Sequence, residues 1–104
     1  MTAQLIACYR RPEDPEAFDR HYADVHSRLG LALPGVRSFT GTHPRPGPNG
    51  SPPAYYFVAV LGFDDAAAMD AALSGVEGKA AVDDLRNFAG AGVDLMTGPT
   101  AVYG

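Results

Sequence analysis

Tryptophan is absent from this 104-residue chain, cysteine occurs once, and no apolar run approaches the ~20 residues that a membrane helix needs. The lone Cys8 excludes an intramolecular disulfide and fits a reducing compartment, so a cytoplasmic protein is the expectation. No basic region precedes the short apolar stretch near the N-terminus, and neither a signal peptide nor an anchor is expected. Basic residues are also scarce: eight Lys plus Arg stand against twelve Asp plus Glu, without a basic run, for a net charge of −4. That balance offers no electrostatic footprint for nucleic acid or an anionic membrane. A dinucleotide-binding motif is missing too, since the Gly-Ala-Gly near residue 90 lacks the strand-to-helix context of a phosphate loop. No cofactor is expected. The length suits one domain, residues 1–104, with a single core.

What is present alternates between two periodicities. Residues 4–10 form a short apolar run stopped by Arg10, Arg11 and Pro12, which predicts a buried strand. Asp14 and Pro15 then supply a cap and a first-turn proline. At 100° per residue Phe18, Tyr22, Val25 and Leu29 fall on one stripe, with Glu16, Arg20, Asp24 and Arg28 opposite at i,i+4 spacing. Gly30 permits an ending, and Pro34 with Gly35 turns the chain into a second strand over residues 36–43. Residues 43–53, HPRPGPNGSPP, hold too much Pro and Gly for helix or central strand and read as a surface connection.

Residues 54–63, AYYFVAVLGF, are the clearest strand. Asp64 is the expected cap of a helix over residues 66–73. After a break at Gly75 to Gly78, residues 80–88 resume a helical pattern with Val82, Leu85 and Phe88 on one side. Residues 93–96 complete the set as a last strand, and residues 97–104 read as a tail that either pairs with something or simply trails. The order strand, helix, strand, strand, helix, strand predicts an α+β, ferredoxin-like βαββαβ fold, an antiparallel sheet with both helices on one face. The Tyr56, Val58, Val60 set and the Tyr55, Phe57, Ala59, Leu61 set cannot both face those helices. The apolar face left over predicts a homodimer that apposes its sheets into a dimeric α/β barrel, with a small-molecule chamber inside.

The stretch FDRHYADVHSRL, residues 18–29, concentrates the candidate chemistry. Tyr22 and His26 lie one turn apart at the edge of the buried stripe, where His26 either projects into a cleft or bonds a backbone carbonyl. Its candidate role is general acid or base, or donor to a ligand oxygen. The Tyr22 ring belongs to the core, leaving its hydroxyl to orient His26 or a ligand, and Tyr9 ends the first strand where it reaches the same cleft. His21 and His26, five apart, are separated by about 140° on an α-helix, so they form no metal pair, and no metal site is expected. His43 reads as an exposed loop residue and Cys8 as buried filler. Asp83 and Asn87 share a helix side, which capping or a subunit contact explains as well as a pocket does.

The opening LIACYRRPEDPEAFDRHYADVHSRL, the LPGVRSF turn and the late DLRNFAGAGV segment resemble, in order and spacing, the EthD family of the dimeric α/β-barrel group. The family's Tyr, His and Leu pattern on the first helix falls on Tyr22, His26 and Leu29, while Arg28 stands where relatives often carry proline. The resemblance implies a small homodimer associated with oxidative breakdown of small organic compounds, as a reductase or an accessory to a monooxygenase. His26 would act in the barrel cavity on a small apolar ligand, with Tyr22 and Tyr9 as binding residues. Two other functions compete. One is a non-catalytic carrier or sensor using the same cavity; the other is a haem or cofactor-free monooxygenase of a related barrel, whose haem-degrading form the missing tryptophan weakens.

Overall fold

The computed structural model describes residues 1–104. Strand β1 (Thr2–Tyr9) is the hub of the sheet, because both of its edges are paired. It runs antiparallel to β3 (Phe57–Phe63) on one side and to β4 (Val93–Thr100) on the other, and β2 (Val36–Thr42) adds to the far edge of β3. The order is β2-β3-β1-β4. β4 is longer than its apolar run suggests: Thr97 to Thr100 pair with Leu5 to Thr2, so only residues 101–104 trail. Backbone pairing along β1 extends the strand past the point where side-chain pattern gives out.

β3 starts later than expected. Pro52 and Pro53 lack the amides a ladder needs, and Tyr55 and Tyr56 lie before the strand, with the Tyr56 amide donating to the Tyr9 carbonyl at 2.8 Å. The alternation then decides which face is inner. Phe57, Ala59, Leu61 and Phe63 are buried under the helices, while Val58 and Val60, in register with Cys8 and Ile6 on β1, point the other way. Tyr56 departs from its expected set, packing edge-on against Phe18 at 5.4 Å and donating to Asp19 at 3.0 Å.

The first helical region is one rod in three parts: α1 (Pro15–His21), a π-helical turn (Tyr22–His26) and α2 (Ser27–Leu31). Asp14 caps it as expected, its carboxylate accepting from the Ala17 amide at 3.1 Å. The second region is two helices, as expected, but with a break of one residue in place of four: α3 (Ala66–Ser74) and α4 (Val76–Asp84), followed by a 3-10 turn (Leu85–Asn87). Only Gly75 separates them, with φ −85° and ψ −174°. The close turn is possible because Gly78 lacks a Cβ, which would run into the Leu73 carbonyl. The cap of α3 is Asp65, accepting from Ala68 at 2.7 Å; Asp64 instead pairs with Arg37 at 2.9 Å.

Both regions cover the same sheet face. Their shared core joins Tyr9, Phe18, Tyr22 and Phe57 with Phe63, Met69 and Ala72. Burying a side chain such as Phe18 or Phe63 contributes about 1.5–3 kcal/mol. The aromatic rings add mutual edge-to-face contacts, the tightest being Tyr22 on Phe57 at 4.7 Å. Aromatic rings crowd around the Tyr9 end of β1, and that is where the polar groups gather.

Candidate functional site

The π turn changes which side chains face inward. In it the Ser27 amide bonds the Tyr22 carbonyl, five residues back, and the Ala23 carbonyl that an α-helical Ser27 amide would have served takes the Ser27 hydroxyl at 2.7 Å. The wider turn brings Phe18, Tyr22, His26 and Gly30 into the buried row. Val25, expected on that stripe, is 40% exposed, whereas His26 is 8% exposed. Gly30 does not end the helix; its missing side chain leaves room for the Phe39 ring.

The same turn overturns the separation expected for His21 and His26. Both rings reach one carboxylate, that of Asp84 at the end of α4. Nε2 of His21 lies 2.9 Å from Oδ1, Nδ1 of His26 lies 2.9 Å from Oδ2, and the Asn87 amide donates to Oδ1 at 3.0 Å. Phe88 flanks both imidazoles, with ring centroids 5.1 Å from His21 and 4.7 Å from His26. Asp84 is buried, and burial alone would raise its pKa. The hydrogen bonds from Asn87, His26 and His21 outweigh that and hold the carboxyl below its ordinary range. Burial pulls His26 below its ordinary value; the bond to Asp84 and that carboxylate's charge oppose the shift without cancelling it.

These directions fix a charge pattern. Asp84 is a carboxylate and His26 is largely neutral near pH 7, with its Nδ1–H donated to Asp84 and Nε2 carrying the lone pair. Nε2 has no hydrogen-bond partner in the chain, yet no side-chain nitrogen or oxygen is both fully buried and unpartnered. Nε2 is therefore accessible. His26 lines a cavity of about 60 Å³ between helices and sheet, whose other lining groups are chiefly apolar and include Leu33, Phe39, Leu61 and Leu85.

Tyr9 and Tyr22 line the same cavity, so all three expected site residues come together. Burial raises both phenols, Tyr22 to about 12 and Tyr9 further, so both stay protonated hydrogen-bonding groups across the physiological range. The cavity's position differs from the expected one. It lies inside a single protomer, under the helices, on the opposite side of the sheet from Ile6, Val58 and Val60. An imidazole placed there cannot line a chamber between two apposed sheets.

The EthD domain model matches residues 10–92, which spans the first helical region, Asp84 and the Phe88 turn. The chain belongs to the EthD family. An uncharacterized 11.0 kDa protein from the thcB-thcC intergenic region of Rhodococcus erythropolis is 36% identical over 93 residues, covering 89% of each chain. A crystal structure of an EthD family protein from Bacillus halodurans is also 36% identical and superposes with a TM-score of 0.89 over 97% of this chain and 100% of that one. Two more distant structures share the fold. One is a dimeric ferredoxin-like protein of unknown function from Thermobifida fusca (16% identity, TM-score 0.70, 96% and 92% of the two chains). The other is a variant of SnoaB, a cofactor-independent oxygenase from Streptomyces nogalater (15% identity, TM-score 0.72, 98% and 95%).

The remaining polar residues of this EthD chain lie elsewhere. His43 packs on Phe57 at 4.8 Å and sits 3.8 Å from Asp19, remote from the Asp84 cluster. Asp83 pairs with Lys79 at 2.8 Å on the surface, while its neighbour Asp84 points inward. Cys8 is buried on the sheet's other face, where burial raises its thiol pKa. Glu16 with Arg20, and Asp24 with Arg28, form no ion pairs; in the second couple Asp24 lies within the π turn and Arg28 in α2. No helix is long and apolar enough to cross a membrane.

Proposed function

We propose that this EthD protein binds a small, mostly apolar organic compound in the cavity under its helices, and that His26 takes a proton from it. The observation that carries this reading is the 2.9 Å bond from His26 Nδ1 to Asp84, which leaves Nε2 unengaged on a residue that lines an apolar cavity. The Tyr9 and Tyr22 hydroxyls serve as hydrogen-bonding groups for a ligand oxygen. A weakly acidic O–H, or a C–H beside a carbonyl, is the group such a neutral imidazole removes. The resulting anion is electron-rich, which supports a part in oxidative breakdown of small organic compounds, as an oxidoreductase or an accessory to one. The shared fold with a cofactor-independent oxygenase fits that part.

The protein works in this reading as a homodimer joined through the sheet face that the helices leave bare. Ile6, Val58 and Val60 lie there, with Met96, 50% exposed, beside Ile6 on β4. Apposed sheets of this kind would close the dimeric barrel, its centre filled by these side chains and its two ligand cavities outside them. The description of a fold neighbour as dimeric supports the assembly.

A panel of phenols, quinols and enolisable ketones tests the function. The expected result is thermal stabilisation by a subset of them and product formation by mass spectrometry, with turnover falling at least about 100-fold in His26→Gln. Turnover by folded His26→Gln at the wild-type rate would overturn the assignment of the base. Stabilisation without any product would make the protein a carrier or sensor.

A further inference from the structure

We propose that His21 is the outer half of a proton-exchange unit, in which His21 and His26 hold one proton between them across the shared Asp84 carboxylate. The unit is built from three elements: His21 at the end of α1, His26 at the end of the π turn and Asp84 at the end of α4. Each imidazole meets the carboxylate at 2.9 Å. The two ends differ in surroundings. The His26 side chain is 10% exposed and lines the cavity, whereas that of His21 is 25% exposed and reaches solvent.

One carboxylate balances one imidazolium. Two imidazolium rings beside it, packed against the Phe88 ring, would leave a net positive charge among apolar groups. The arrangement therefore favours one charged ring at a time. When Nε2 of His26 takes a proton from a ligand, His26 becomes the imidazolium, and His21 releases its own proton from Nδ1 to water. One proton enters and one leaves, Asp84 stays ionised, and its bonds to both rings persist. The reverse exchange, with solvent protonating His21, returns His26 to its neutral form once the proton at Nε2 has passed on.

The other titratable groups facing the unit are Tyr22, from the same π turn, and Tyr9, from β1. Both phenols stay protonated over the pH range in which histidines titrate, so neither competes for the exchanged proton. Asn87 faces Asp84 from the 3-10 turn and does not ionise. The positive charge of His21 is among the influences that lower the His26 pKa, as a coupled pair requires.

The exchange gives the proposed base, His26, its route to solvent and rests on that proposed function for its purpose, but its test needs no ligand. Ring-nitrogen NMR of histidine-labelled protein, titrated with pH, distinguishes His21, His26 and His43. In the wild type the His26 signals are expected to move in two inflections. In His21→Gln, which keeps an N–H donor for Asp84, the expected His26 curve is single and displaced upward, because the neighbouring positive charge is gone. A single wild-type His26 curve, unmoved by His21→Gln, would overturn the proposal while leaving the role of His26 intact. If His21→Gln fails to fold, the shape of the wild-type curve decides alone. Conversely, coupled curves in a protein whose His26→Gln variant retains turnover would separate the unit from the proposed base.

Discussion

The two helical regions lie on the same sheet face, yet they solve the problem of reaching the site in opposite ways. The first stays continuous and widens, passing through a π turn that brings His26 into its buried row. The second breaks at Gly75 and folds back so closely that Gly78 backs onto the Leu73 carbonyl. One irregularity adds width, and the other removes it. Between them they bring the imidazoles of the first region against the carboxylate of the second, a clasp that two uninterrupted helices would not place the same way. The polar centre depends on both departures from regular geometry, so weakening either side should tell on the other.

The largest effect is expected from cutting the clasp. Asp84→Ala leaves His26 and Asn87 without their acceptor in a buried setting and should cost about 3 kcal/mol, read by denaturant unfolding. Gly78→Ala comes next. Its new methyl meets backbone, which cannot swing aside, and the expected loss is about 2 kcal/mol despite alanine's better helix propensity. Gly30→Ala, in the first region, meets only the Phe39 ring, a side chain able to turn. There the expected loss is about 1 kcal/mol or less, and a thermal melt that ranks Gly30→Ala below Gly78→Ala would reverse the contrast drawn above.

The gentlest effect is a pH slope. Because the folded pKa of His26 lies below its ordinary 6.5, the unfolded chain binds the proton first, and stability is expected to fall as pH drops below 6.5. The contribution of Asp84 has the other origin. It is present above the ordinary 3.8 and is lost as pH falls through the lower folded value. Chemical denaturation between pH 7 and pH 5 should therefore show a decline in the wild type that flattens in His26→Gln.

The sequence already carried the strand and helix order, the Asp14 cap and the gathering of Tyr9, Tyr22 and His26, since hydrophobic period and turn residues act locally. What it concealed were positions that depend on phase. A ruler of 100° per residue put His21 and His26 on different sides, and nothing in FDRHYADVHSRL marks where the turn widens except Ser27, whose hydroxyl serves the displaced carbonyl. The same limit hid Asp84. It follows Asp83 directly, and the phase of α4 is reset by a one-residue break that propensity alone spreads over Gly75 to Gly78. Val82, expected inward, is accordingly 55% exposed. The pattern sets Asn87 on one helix side with Asp83, yet its amide reaches inward to the carboxylate of Asp84.

Tyr9 closes a strand held on both edges, by Phe57 and by Val93. The floor of the cavity is thus pinned by backbone ladders on both sides, while its roof hangs on a turn of altered hydrogen-bond register. Substitutions that change the shape of this cavity are therefore expected to be absorbed by the helical roof and not by the sheet beneath it.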